Sequence, residues 1–418
     1  MKSMKTTFSR AVFALLAIPL AVSAAGEGGR NGFYVWQRHW TPAVEATLSN
    51  VLSNSQRQLY VLGGELAVEA TGQLAWASAV PPEDLVANGR VTVVFRLPVA
   101  ALDCLEKTAE AVADRASRAG ATRLQLDVDV PESRLPDYAR LLAAVRHRLQ
   151  MRSPSLVLGA TFLPCHLEHE TALQQLLRYL DEPVLQLHGI DPPQRLEDGW
   201  ALMRRDVVFP AIERAQALDS RFRFALPTYA YVLEFAPDGS FSRLHAESFP
   251  GVEAFPADRI LQLAAPDPAL LVEACEKCGP GHVVWFRLPM PGLDRLALDT
   301  QTLADIEGGL VPAKRLRLES VRPSPNGPLE IWARHEGYIP LAGRTVPLTW
   351  QETPPATGEF WPLGGCKLPE PTVAGGPLPT ALRIAPHACG ERFLAARVLT
   401  QAEFCDLQLE DQNDEEKP

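Results

Sequence analysis

Two aspartates, Asp127 and Asp129, stand two residues apart in the run TRLQLDVDVPESRLPDYARLLAAVRHRL, Thr122 to Leu149. Side chains alternate across a strand, so Gln125, Asp127 and Asp129 share one face while Leu124, Leu126, Val128 and Val130 share the other. Strand geometry sets the two carboxylates about 7 Å apart, close enough for each to oppose the other's ionisation. An acid that keeps its proton beside an ionised partner is what glycosidic cleavage asks for, because the leaving oxygen takes up a proton while positive charge builds on the sugar ring. The plainer use of aspartates here is to cap the following helix or its loop. Arg38, Arg96 and Arg287 fall at the ends of predicted strands, and a cation beside a carboxylate works against a raised pKa.

These residues require elements that bring them to one place. The aromatic stretch FYVWQRHW, Phe33 to Trp40, predicts a first strand whose end carries Trp36 and Arg38. RQLYVLGGEL predicts a second, ending in Gly63, Gly64 and Glu65, and VTVVFRLP, Val91 to Pro98, a third with Arg96 near its end. The aspartate strand is the fourth and SLVLGATFLP, Ser155 to Pro164, the fifth. PVLQLHG repeats the parity of the fourth strand, with Gln186 and His188 on one face. FRFALPTYAYV delivers Thr228, Tyr229 and Tyr231, and HVVWFRLP delivers Trp285 and Arg287. Helical patterns fall at Thr41–Leu52, Leu102–Ala119, Pro136–Leu149, Thr171–Leu180, Glu197–Ala217 and PALLVEACEKCG, while Phe235 to Leu263 reads as an irregular rim excursion. Eight alternations with short connections predict a (β/α)8 TIM-type barrel over residues 31–310. In such a barrel, polar residues at the C-terminal ends of strands line the mouth where chemistry occurs. The chain has no GxGxxG after its first strand, no P-loop and no GxSxG elbow.

Beyond Val311 the pattern changes to short alternating runs separated by Pro- and Gly-rich turns, which predicts a small β-sandwich-like domain over 311–405 and an acidic flexible tail over 406–418. Trp332, Tyr338, Trp350 and Trp361 offer either a sugar-stacking surface or ordinary packing. At the other end, Lys2, Lys5 and Arg10 precede the apolar run AVFALLAIPLAVSA, with small residues suited to cleavage after Ala24. That is the pattern of a signal peptide over residues 1–24; it implies a periplasmic or secreted protein with no stable membrane span after cleavage. A formal net charge of -10 makes nucleic acid a poor partner, since phosphate binding draws on a basic surface. Seven cysteines permit disulfides in that compartment, with Cys366, Cys389 and Cys405 candidates for one bridge. Cys275 and Cys278 read as a local disulfide or two separate thiols, because no second CxxC or spaced His pair completes a zinc site.

The run LQLDVDVP followed by a helix resembles the fourth strand of chitinase-like family 18 glycoside hydrolases, where a DxDxE pattern ends a barrel strand. The resemblance implies a proton-donating role for the last position, here Asp129, and an orienting role for the middle one, here Asp127. Gln125 takes the first position, so two of the three positions depart from the pattern. Trp285 looks like the tryptophan that floors the sugar site in that family. A longer resemblance, carried by FYVWQRHW, RLQLDVDVP with LPDYARLLAAVR, QLHG and VVWFRLP, is to secreted bacterial proteins of domain of unknown function 3142. It spans most of Phe33 to Pro289 and implies a shared fold and an extracytoplasmic setting, with no established activity.

Two functions follow from this reading. One is a glycoside hydrolase with Asp129 as acid, Asp127 as its modulator and Glu65 as a second carboxylate. Trp36, Arg38, Arg96, Gln186, His188, Tyr229, Tyr231, Trp285 and Arg287 then bind an extended polysaccharide or oligosaccharide, the arginines suiting an anionic one. The other is a non-catalytic glycan-binding or envelope-associated protein on the same scaffold. Asp127, Asp129, Glu65 and His188 would hold a divalent ion only if they converged; neither reading calls for a metal or other cofactor.

Overall fold

The computed structural model describes residues 31–77, 81, 83–86, 88–189, 192–246, 256, 258–290, 294, 296–312, 315–336, 344–351, 356–384, 390 and 392–410. The predicted signal peptide, Tyr338, Cys389 and residues 411–418 lie outside them. Eight strands run parallel: β1 (Gly32–Val35), β2 (Gln58–Val68), β3 (Val91–Arg96), β4 (Arg123–Asp127), β5 (Val157–Phe162), β6 (Glu182–Gln186), β7 (Arg223–Pro227) and β8 (Val283–Phe286). Each pairs with the next, and β1 pairs with both β2 and β8, which closes the sheet into a barrel. Helices α1 (Pro42–Asn54), α2 (Leu105–Arg118), α3 (Leu135–Arg152), α4 (Glu170–Leu177), α5 (Arg205–Leu218), α6 (Pro268–Cys278) and α7 (Thr300–Glu307) cover its outside. This is the expected (β/α)8 barrel.

The alternation of each strand decides what faces the helices. Leu124 and Leu126 of β4, Leu59 and Val61 of β2 and Trp285 of β8 join one large outer core with Ala109, Val112 and Ala116 of α2 and Leu141, Leu142 and Val145 of α3. Burying that many branched and aromatic side chains, at roughly 25 cal/mol per Å² of apolar surface, is the main stabilising term. Caps define the helix starts: Thr41 accepts from Val44 N at 3.4 Å, Asp267 from Ala269 N at 2.9 Å and Asp299 from Thr302 N at 2.7 Å. On the inner face, Tyr34, Tyr60, Val94, Val184, Ala225 and Val284 fill the middle of the barrel, with Trp36 and Phe286 packed above them.

Three expectations are corrected. The predicted seventh strand is two strands, because Pro227 ends β7 with no N–H of its own for a further ladder bond; Tyr231–Phe235 belongs to a separate sheet. In that sheet Tyr231–Phe235 lies between Phe241–His245 and Ile260–Ala264, so part of the stretch read as irregular is a three-stranded antiparallel excursion. The first residues of the tail read from 406 are instead ordered: Leu407 and Leu409 alternate onto the C-terminal core and their strand, Leu407–Glu410, pairs with Arg315–Leu318. Cys275 and Cys278 are both free thiols on α6, Cys278 buried and Cys275 partly so, and burial pushes Cys275 up to about 12.

The C-terminal region builds two antiparallel sheets. One has five strands in the order Glu359–Pro362, Arg392–Leu399, Leu329–Glu336, Arg315–Val321 and Leu407–Glu410; the other pairs Arg344–Pro347 with Ala381–Ile384. Leu316, Ile331 and Val398 of the first and Val346, Leu382 and Ile384 of the second share one apolar core.

The N-terminal end of the barrel is closed by charge. Glu182 of β6 receives Arg123 Nη2 at 2.6 Å and the Tyr60 hydroxyl, with Arg223 Nη1 at 3.8 Å. Arg223 also donates to Gln58 Oε1 and to Tyr60 Oη, each at 2.6 Å. Glu182 is therefore the one carboxylate among the named partners of two largely buried guanidiniums. Glu182→Leu leaves both without it, and the expected loss is about 3–5 kcal/mol, the usual cost of breaking a buried ion pair from one side. Equilibrium urea unfolding reads this directly; a loss under about 1 kcal/mol would contradict the account.

Candidate functional site

The opposite, C-terminal end of the barrel gathers most of the predicted polar residues, and a bulge in β2 begins the arrangement. Parallel pairing runs Leu62 with Val94, then Gly64 with Phe95 and Glu65 with Arg96, so Gly63 is the extra residue. A side chain on Gly63 would put its Cβ 2.3 Å from Val93 Cγ1, which is why glycine stands there. The one-residue shift turns Glu65 to lie opposite Arg96. Arg38 then meets Glu65 with both guanidinium arms, Nε and Nη2 each at 2.9 Å, and this bond holds the Glu65 carboxyl below its ordinary range.

Arg96 is the centre of the mouth. Its Nη1 donates to Asp127 Oδ2 at 2.7 Å and its Nη2 to Asp129 Oδ2 at 2.6 Å, so one guanidinium bridges both aspartates. Burial works against its charge, but the two carboxylates outweigh that and raise its pKa. Asp127 ends β4 and is 2% exposed; its Oδ1 also accepts from Thr161 Oγ1 at 2.9 Å and Gln186 Nε2 at 3.1 Å. Burial pushes its carboxyl upward, against the pull of Arg96 and the Thr161 bond. Asp129 lies past the strand end with its side chain 37% exposed. Gln125, one step deeper on the same face, accepts from the Tyr34 hydroxyl at 2.8 Å, and its Nε2 is buried with no hydrogen-bond partner. Gly159 of β5 makes the room: its Cβ would sit 3.7 Å from Gln125 Cβ and 2.7 Å from Glu182 O.

Across the mouth, His188 follows β6. Its ring stacks on Phe286, centroids 5.2 Å apart, and its Nδ1 lies 3.0 Å from the Tyr229 hydroxyl. Nε2 is buried with no hydrogen-bond partner. Burial lowers the imidazole pKa to about 4, with the Asp129 charge pulling the other way, so the ring is neutral near pH 7. Tyr231 donates to the Tyr229 hydroxyl over 3.4 Å and packs on Trp200. Trp36 sits against Phe286 at 5.5 Å, with the Arg96 guanidinium 6.0 Å from its ring centre.

Trp36, Arg38, Glu65, Arg96, Asp127, Asp129, Gln186, His188, Tyr229 and Tyr231 thus fall at one end of the barrel. Trp285 does not line its inside: the indole points outward and donates to Glu307 Oε1 at 2.5 Å, while Glu307 also takes both arms of Arg57. The inward residue of β8 is Phe286, in step with Val284. Arg287, just past β8 across a cis peptide, is 4% exposed and paired with buried Asp294, and it lines a small pocket with Tyr229, Tyr231 and Phe286. Phe286, Thr161 and the Tyr34–Gln125 pair were not foreseen. The alternation of Gly159 and Thr161 opposite Gln125 and Asp127 is the signal that would have found Thr161. Among the described residues no three His, Cys, Asp or Glu side chains converge as a metal site, and no helix is long and apolar enough to cross a membrane.

No curated protein matches the chain. Among solved structures it is similar to a chitinase from Chromobacterium violaceum ATCC 12472, at 11% identity and a TM-score of 0.49 over 67% of this chain and 98% of that one. It is similar also to the Bacillus cereus spore cortex-lytic enzyme SleL, at 10% identity and a TM-score of 0.47 over 63% of this chain and 71% of that one. A chitinase from Bacteroides thetaiotaomicron aligns at 11% identity and a TM-score of 0.45 over 62% of this chain and 90% of that one. Residues 92–291, which run from within β3 to beyond β8, match the model of the family described as Domain of unknown function (DUF3142).

Proposed function

We propose that the protein is a glycoside-hydrolase-like barrel that acts on a polysaccharide outside the cytoplasm, with Asp129 as the acid that protonates the leaving oxygen. The observation that carries this is the bridge at the end of β4: one guanidinium holds buried Asp127 and solvent-facing Asp129 together, beside the aromatic rings of Trp36, Phe286 and Tyr229. Aromatic rings at a strand-end mouth suit the apolar faces of sugars, and a carboxyl at the rim can meet a glycosidic oxygen. Asp127 works through Arg96: with Thr161 and Gln186 on its other oxygen, it fixes the guanidinium and so sets where Asp129 stands. For Asp129 to deliver a proton, its carboxyl leaves Arg96 Nη2 and turns to the substrate, while Nη1 stays on Asp127. The basic and apolar residues before Ala24 support export.

A second reading, a non-catalytic glycan-binding barrel, is favoured by the same bond seen from Asp129. A carboxylate that accepts from a guanidinium at 2.6 Å is arranged as an acceptor, whereas an acid carries a proton to give. Release of reducing ends from bacterial and plant polysaccharides, N-acetylglucosamine polymers included, separates the two. Wild type should turn over at least one polymer, and Asp129→Asn should lower that turnover about 10²–10⁴-fold, the usual worth of a general acid, while binding changes little. Silence from folded wild type across the panel, with binding retained, would leave the second reading standing.

His188 gives an independent check on the mouth. Its folded pKa, about 4, lies below the ordinary 6.5, so its contribution to stability is fully present above about pH 6.5 and is lost as pH falls through 4. Over that window it amounts to at most about 3 kcal/mol. Thermal unfolding midpoints should fall between pH 6.5 and pH 4 in wild type and fall less steeply in His188→Phe; parallel curves would show that His188 is not held neutral.

A further inference from the structure

The cations of the mouth are already committed. Arg38 is held by Glu65 through both arms, Arg96 by Asp127 and Asp129, and Arg287 by Asp294. Arg134, in the loop beyond Asp129, is paired with Asp103 and Asp137. Carboxylates among the first three groups outnumber the guanidiniums, so the mouth has no surplus positive charge to meet an anionic ligand. An incoming carboxylate or sulfate would have to displace a protein carboxylate from a paired arginine and leave it without its cation. The arginines that suggest an anionic glycan in the sequence are, in the fold, spent on the protein's own acids.

An unpartnered polar atom at the mouth, His188 Nε2, is instead neutral. Tyr231 donates to the Tyr229 oxygen over 3.4 Å, which leaves the Tyr229 proton for His188 Nδ1 at 3.0 Å. A neutral imidazole that accepts at Nδ1 carries its proton on Nε2. That N–H, buried and without a partner beside the Phe286 ring, is a donor whose burial without a bond is destabilising. A ligand oxygen that reaches it recovers that cost.

We propose that the barrel mouth selects an uncharged saccharide, holding one of its acceptor oxygens on the Nε2–H of His188 and disfavouring chains that carry uronate, sulfate or phosphate groups. This rests on the glycan reading above and adds to it the class of glycan and the residue that sorts it.

Calorimetric titration of the full chain with matched-length oligomers of N-acetylglucosamine, glucose and galacturonate tests it. At least one neutral oligomer should bind about tenfold or more tightly than the galacturonate oligomer, a difference of about 1.4 kcal/mol. His188→Phe, which keeps a ring on Phe286 and removes the donor, should weaken the neutral oligomer about tenfold, and His188→Gln, which keeps an N–H, by less than about threefold. Glu65→Gln, which releases Arg38, should strengthen galacturonate binding several-fold; this arm stands even if the His188 variants fail to fold. Galacturonate binding as tight as the neutral oligomers, or an unchanged affinity in folded His188→Phe, overturns the inference and leaves the glycan reading intact. Binding of none of the three by folded protein overturns that reading and the inference with it.

Discussion

A buried carboxylate has to be compensated, and at Asp127 the compensation organises the C-terminal end of the barrel. An ionised group taken out of water costs several kcal/mol unless charge and hydrogen bonds return it. Arg96 supplies the charge and Thr161 and Gln186 the bonds, so strands β3, β4, β5 and β6 each contribute to one carboxyl group. The register follows: Arg96 lies opposite Asp127, and Leu97 N donates to Asp127 O at 2.9 Å. Since Arg96 has a second arm, satisfying Asp127 also fixes Asp129. The exposed acid is positioned by the needs of the buried one.

The two ends of the barrel use the same device for different ends. At the base, Glu182 sits among Arg123, Arg223 and Tyr60, with its side chain largely buried. At the mouth, Arg96 sits between carboxylates of which one faces solvent. Between them the barrel is filled by Tyr34, Tyr60, Val94, Val184, Ala225 and Val284, a layer of tyrosine rings and aliphatic side chains that separates the two charge networks. The base keeps its carboxylate among cations, while the mouth leaves one carboxylate facing solvent.

Much of this was legible from period-two alternation. The parity of LQLDVD and of LQLH puts Gln125 and Asp127 on one face of their strand and Gln186 and His188 on one face of theirs, since in both strands the other face is purely apolar. Parity failed where both faces are apolar. In VVWF nothing distinguishes Val283 and Trp285 from Val284 and Phe286, and the resemblance to a tryptophan that floors a sugar site put Trp285 on the wrong side. The arginines misled for a related reason: sequence shows that Arg38 and Arg96 stand at strand ends, but not that a bulge at Gly63 brings Glu65 to the one and β4 brings two aspartates to the other. The alternation of FALPTYAYV likewise runs unbroken through Pro227, whose missing N–H outweighs the pattern.

The outward tryptophan has a further meaning in the order of events during folding. Trp285 and Arg57 meet on Glu307, and β1 pairs with β8 across about 250 residues of chain, Arg57 and Glu307 being 250 apart. Contacts of such sequence separation cannot form until nearly the whole barrel has been made, and loop closure must be paid before they reward it. Strands β2 to β7 can zip in sequence, each onto its predecessor, while β1 holds only one of its two neighbours. The seam at Glu307 is thus a late latch, and until it engages the edges of β1 and β8 stay open to pairing with other chains.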